Sequence, residues 1–310
     1  MRIAKPLSNR CGMALVLTIL IVSLLTITVF DIFHESWIQT VLASVYRDDT
    51  RAFYAARSGQ DAAKLILLED ARSPIRRDAL TEEWAQSTIP LPIDNEYAWI
   101  EIRDESGKIN LNSLTTSRGF PNERWIKIFS RLLRRLEINE GIADSLVDWM
   151  DRDSEPRPDG AEDGYYSSLK NPYRAKNAKL DSVDELLLVR GFTPKVMDKL
   201  REHVSVWGAD KININTASDM VLWSLDDDMT GEMVKGILRA RLAAPFGKRE
   251  DVKRIPGLSE IYPKIALSID VKSNIFSVKS SATFNETVKT IVAVYKRSSS
   301  DVKTLFYKVM

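Results

Sequence analysis

Residues 13–30 read MALVLTILIVSLLTITVF, and no charge interrupts them. As a helix the run is about 27 Å long at ~1.5 Å per residue, close to the ~30 Å hydrocarbon core of a bilayer. Ahead of it stand Arg2, Lys5 and Arg10 with no acid. Basic flanks stay on the cytoplasmic side, so the bulk of the chain is expected across the membrane. Beyond Asp31, apolar residues recur at helical spacing through Ile38, Val41, Leu42, Val45, Phe53, Ala56, Ala63, Ile66 and Leu67. No proline lies between Pro6 and Pro74, so one long helix can leave the membrane with an amphipathic outer half.

The whole chain has 310 residues, 44 Lys+Arg against 43 Asp+Glu and 44% apolar residues, enough for two or three domains with real cores. A net charge of +1 argues against a polybasic nucleic-acid protein, although a local patch remains compatible with it. Cys11 is the only cysteine, which excludes an internal disulfide and a cysteine-based zinc site.

Three readings fit the N-terminus. A secretory signal peptide needs small residues after its apolar run, and Val29-Phe30-Asp31-Ile32-Phe33 lacks them. A plain single-span anchor is the second. The third places a cut before the run, between Gly12 and Met13. A short basic leader, a glycine and an unbroken apolar helix resemble a type IV prepilin-type signal. That resemblance implies removal of residues 1–12 by a prepilin peptidase and methylation of Met13. Most pilin-like subunits carry Glu at the fifth mature position, where it pairs with a neighbour's buried amine; here that position is Leu17. A subunit without the carboxylate suits a filament tip, with no subunit above it.

Residues 97–112 read as a hairpin. Tyr97, Trp99 and Glu101 alternate with Ala98, Ile100 and Ile102, Asp104–Gly107 supplies the turn, and Lys108–Leu111 resumes the strand. Phe276–Phe284, Thr287–Lys296 and Thr304–Val309 read as a C-terminal antiparallel meander. The expected fold is therefore α+β: a transmembrane spine helix (13–72) on a small antiparallel sheet (73–112 and 271–310). Between the strands lies an all-α insert of two units, 113–209 and 210–270. An internal repeat, GKINLNSL at 107–114 and DKININTA at 210–217, opens each unit, its Asn-Ser or Asn-Thr suited to cap the next helix.

Two segments resemble helix-hairpin-helix turns: Leu187-Leu188-Val189-Arg190-Gly191 and Ile255-Pro256-Gly257-Leu258. In DNA-binding proteins such turns offer backbone N–H groups to phosphate, so a membrane-anchored DNA-binding protein is the rival function. Asp181, Asp184 and Glu185 oppose this at the first turn; Lys248, Arg249, Lys253 and Arg254 favour it at the second. A SAM-like helical hairpin used for packing is the better expectation, and nucleic acid is not an expected partner.

From Asp144 to Asp163 there are eight acids and two bases. With Asp151 as position 1 of a twelve-residue loop, Asp153, Glu155, Asp159 and Glu162 fall at positions 3, 5, 9 and 12, the oxygen-ligand positions of a calcium loop. Pro156 stands where the EF-hand needs Gly, so the ligand set without that fold is expected. Asp163 adjoins it, and Asp151, Asp153, Glu155, Asp159, Glu162 and Asp163 are the candidate calcium ligands. Asp226-Asp227-Asp228 is a second acidic group, read as a helix end.

The run Asp148-Trp149-Met150-Asp151-Arg152-Asp153-Ser154-Glu155-Pro156, then Gly160–Asp163, Tyr165-Tyr166 and Asn171-Pro172-Tyr173-Arg174, resembles type II secretion protein K. With the leader, Leu17 and Asn213–Ala217 the resemblance covers most of residues 10–300. It implies a pilin-like head with a helical insertion, calcium on the acidic loop, and a single-pass inner-membrane protein with a periplasmic head. It further implies assembly with minor pseudopilins I and J, as a trimer capping the major pseudopilin filament. Catalysis is not expected: His34 and His203 are the only histidines, and no Ser/His/Asp order, Gly-rich phosphate loop or HExxH occurs.

Overall fold

In the computed structural model, residues 10–74, 77–93, 96–208 and 210–310 are described, so most of the leader lies outside them. Helix α1 runs from Arg10 to Arg72 without a break. It is the helix among the described residues that is long and apolar enough to cross a membrane, and its apolar window is fully exposed. Thr18, Thr26 and Thr28 donate their hydroxyls to the carbonyls of Leu15, Val22 and Leu24, so no side-chain polar group of theirs stands unpaired in the apolar run.

The C-terminal half of α1 lies on a five-stranded antiparallel sheet, order β1-β2-β7-β8-β9. Its strands are β1 (Ile89–Ile93), β2 (Glu96–Asp104), β7 (Ile275–Phe284), β8 (Thr287–Arg297) and β9 (Val302–Val309). The helix turns Ala52, Ala55, Ala56, Gly59 and Ala63 toward the sheet. A Cβ on Gly59 would meet the Ser280 hydroxyl at 2.1 Å, so only glycine permits this approach. The inner side of β2 is Ala98, Ile100 and Ile102, as the alternation implies.

The expected hairpin over 97–112 does not form. β2 is flanked by β1 and β7, while β3 (Ile109–Asn110) leaves the head and pairs in parallel with β4 (Val204–Ser205). The turn is spent otherwise: Asp104 accepts the Ser106 N–H at 2.7 Å, and the Glu105 N–H goes to the Ile275 carbonyl at 3.0 Å. Ile109 and Leu111 are buried in the core of the insert, so residues 109–112 belong with the insert and not the head. β1 lies at the sheet edge, the place in a sheet that tolerates Pro90 and Pro92, and its two prolines hide the strand pattern in the sequence.

The insert carries α2 (Glu123–Arg135), α3 (Ile142–Met150), α4 (Asp163–Ser167) and α5 (Pro194–Leu200) in its first unit. The second has β5 (Ile212–Asn213), α6 (Asp219–Trp223), α7 (Gly231–Ala243), α8 (Leu258–Ile265) and β6 (Ile269–Asp270). One continuous apolar core serves both units. The sequence repeat is also a structural one. Asn110 and Asn213 each accept the N–H two residues on, at 3.0 and 2.9 Å. Asn112 then binds the Leu180 and Val206 carbonyls, and Asn215 that of Phe246, so these amides tie each unit shut rather than cap a helix. The cap of α6 is Ser218.

Candidate metal centre

Helix α3 ends where the Asp151 N–H closes on the Val147 carbonyl at 2.8 Å, and the chain enters the acidic loop. The loop folds around Asp148, the residue the loop numbering left out. Its carboxylate accepts the Arg157 N–H at 3.1 Å, and a Cβ on Gly160 would meet its Oδ2 at 1.8 Å. Burial pushes Asp148 up to about 6, against the pull of the Arg157 N–H. The loop is anchored by Trp149, Tyr166 and Tyr173, whose rings contact one another edge-on or stacked at 5.1–6.1 Å.

Asp151, Asp153 and Glu162 converge, each offering a carboxylate oxygen within 4.8 Å of the others. Asp151 is 2% and Glu162 7% exposed, and Asp151 Oδ1 and Glu162 Oε1 are buried with no hydrogen-bond partner. Burial pushes Asp151 up to about 7, helped by the charges of Asp153 and Asp148. Burial likewise raises Glu162 to about 7, with Asp148 and Asp151 adding to it. Arg157, whose charge acts on Asp151, is engaged elsewhere: it pairs with Asp144 at 2.7 Å and Glu123 at 3.2 Å. Orphaned, mutually repelling carboxylate oxygens are the donor set a hard cation accepts.

The remaining candidates do not join them. Glu155 is exposed, its N–H turned back to Asp153 Oδ1 at 3.0 Å. Asp159 is exposed beside Gly141, with its N–H toward Asp144. Asp163 opens α4 and accepts the Ala175 N–H at 2.8 Å. Glu155 and Asp159, positions 5 and 9 of the calcium-loop numbering, stand outside the group of three, on the exposed segment around Pro156 and Pro158, where Asp148 holds the Arg157 N–H between the two prolines. Asn177 has a buried, unpartnered Oδ1 and a left-handed backbone, φ 49°, with its N–H on the Trp149 carbonyl. Nothing in the local pattern marked it.

The other acidic groups own their counter-charges. Asp227 pairs with Arg131 at 2.7 Å, which holds it below the usual range, and Asp228 with Lys264 at 2.5 Å. Asp70, Asp78 and Glu82 also converge, but Arg297 bridges Asp70 and Asp78.

Both hairpin turns have the left-handed glycine their sequences imply, Gly191 at φ 88° and Gly257 at φ 82°. A Cβ on Gly191 would meet Ile142 of α3 and one on Gly257 would meet Met233 of α7, so each turn packs against a helix, with Gly191 itself exposed and Gly257 half-buried. Of the four bases near Gly257, Arg249 pairs with Glu250, Arg254 with Asp251, and Lys253 lies over the Tyr262 ring at 4.2 Å. Both turns pack against helices, and two of the four bases have acidic partners.

The family described as "Type II secretion system (T2SS), protein K" matches residues 107–209 and again 212–272. The type II secretion system protein K of Aeromonas hydrophila is 26% identical over 310 residues, covering 94% of each chain. That of Pseudomonas aeruginosa is 29% identical over 301 residues, covering 92% of this chain and 88% of the relative. The fold is similar, at TM-score 0.75 and 23% identity, to a chain in the crystal structure of the GspK–GspI–GspJ complex of enterotoxigenic Escherichia coli, covering 88% of this chain and 99% of that one. The two family matches together span more than half of the sequence, and this chain belongs to the type II secretion system protein K family.

Proposed function

We propose that this chain is a minor pseudopilin that stands at the tip of the type II secretion pseudopilus and initiates or caps its assembly. Its N-terminus is cytoplasmic before cleavage after Gly12, and its head lies in the periplasm beyond the inner membrane. The observation that carries the tip assignment is Leu17, exposed on the apolar half of α1 where pilin-like subunits need a carboxylate for the subunit above. Minor pseudopilins I and J are its partners in this reading, supported by the fold shared with a chain of the GspK–GspI–GspJ complex. Asp151, Asp153 and Glu162 would hold calcium, which neutralises the three carboxylates and ties α3 to α4. The test is co-purification of the full-length chain, in detergent, with the I and J subunits of the same system. A stable three-component complex is expected, and Leu17→Glu should impair secretion in cells. Self-assembled filaments of this chain, with secretion indifferent to Leu17→Glu, would overturn the tip reading.

A further inference from the structure

The two edges of the head sheet are built differently. β1 carries Pro90 and Pro92, so an incoming strand finds no N–H there. β9 carries no proline. Thr290 and Met310 exchange both N–H···O=C bonds, at 3.2 and 2.8 Å. Antiparallel alternation then directs Lys308 and Phe306 toward β8 and leaves the N–H and C=O groups of Tyr307 and Val309 facing outward. A bulge at Val294/Tyr295 limits the regular part of this edge to residues 306–309. Phe306, Tyr307 and Val309 are 37%, 45% and 42% exposed, two on the helix side of the strand and one on the other, because no sixth strand flanks them.

The charges select the occupant. β9 holds Lys303 and Lys308 and no acid, with Lys296 beside them on β8, and none of the three has an ion-pair partner among the described residues. A second copy would bring lysines against lysines, which opposes self-pairing. An acidic strand meets the same lysines as counter-charges.

We propose that β9 is an acceptor edge, onto which an extended segment of a partner subunit carrying acidic side chains adds as a sixth strand. This rests on the reading above, in which the partners are the I and J subunits. Backbone hydrogen bonds at Tyr307 and Val309 supply the attachment, and the lysines supply choice of partner.

Hydrogen exchange on the full-length chain, alone and assembled with I and J, tests it. The Tyr307 and Val309 amides should slow on assembly, and Tyr307→Pro should abolish that attachment. Because the Tyr307 N–H does not bond β8, this proline copies the blocked edge of β1 without removing a bond within the sheet. Lys303→Glu with Lys308→Glu leaves the backbone untouched and should weaken assembly by about tenfold, more at low salt than at high. A complex that forms with both amides unprotected, and equally well with the double-Glu variant, overturns the strand addition and leaves the pseudopilin reading standing. Failure of the wild-type chain to assemble with I and J overturns both. Self-association through β9 in sedimentation also overturns the proposal.

Discussion

Gln60 on the spine helix accepts a hydrogen bond from the Tyr295 hydroxyl of β8 at 2.9 Å, and both side chains are buried between helix and sheet. The Gln60 amide also donates to the carbonyls of Val278 and Ile291, at 3.2 and 2.8 Å. Gln60 thus helps fix where α1 lies along the sheet, together with Asp48, which accepts the Asn285 amide, and Asp70, which pairs with Arg297. Burial holds the Tyr295 phenol above its usual range, so it stays a donor into alkaline pH.

Gln60→Leu should therefore destabilise the head by about 2–3 kcal/mol, since the Tyr295 hydroxyl is left buried and unpaired. Tyr295→Phe on the same background should recover part of the loss. Urea unfolding of the two single variants and the double, read on tryptophan fluorescence, measures the coupling. Simple additivity would show that the two side chains do not act together.

Asp104 gives the head and insert a shared dependence on pH. It is buried and accepts hydroxyls from Thr216 and Ser273 at 2.5 Å each, one from the second helical unit and one from the irregular segment leading into β7. Burial outweighs these bonds and raises it from 3.8 to about 6. The folded chain therefore takes up this proton before the unfolded chain does as pH falls. Its contribution to stability rises as pH falls from 7 to below 3.8, by about 3 kcal/mol in all, and falls again as pH is raised through 6. Asp104→Asn should flatten that part of the stability–pH curve. An unchanged curve would show that this carboxyl is not shifted.

The acidic loop should take calcium. At about 100-fold saturation, binding to the folded chain adds roughly 2.7 kcal/mol, and excess chelator should remove it. Magnesium should compete poorly, because it demands near-ideal octahedral geometry and gives up water reluctantly. Asp151→Asn should abolish most of the gain while leaving the chelated protein equally stable or slightly more so, since it relieves repulsion from Asp153 and Glu162. Glu155→Gln should leave calcium binding within about twofold, its side chain lying outside the cluster. Identical melting with calcium and with chelator would remove the site.

The Gly12–Met13 bond lies inside the first turns of α1. Intact mass of the membrane-extracted chain should show loss of residues 1–12 and gain of one methyl group. Replacing Gly12 should leave the leader in place, and an uncut wild-type chain would make α1 a plain anchor.

The sequence alone determined what depends on local periodicity. An uncharged run followed by helical spacing and no proline specifies α1, alternation specifies β2 and the meander, and two copies of one Asn motif specify the repeat. Each rests on neighbours within a few residues, where backbone geometry makes pattern and structure equivalent. The acidic loop was legible as a source of ligands for the same reason, through its density of carboxylates.

Tertiary structure decided which groups meet across long separations. Ile109 pairs with Val204 rather than with β2, because the Asp104–Ser106 turn is held by Asn213, Thr216 and Ser273 from distant segments. Asp151, Asp153 and Glu162 converge while Glu155 and Asp159 do not, because the loop wraps Asp148 and returns against the aromatic cluster of α3 and α4. Spacing along a chain orders ligands only when the loop's own backbone shapes the site. Here the segment around the two prolines is exposed, and burial of polar groups by sequence-distant partners selects which carboxylates remain inside.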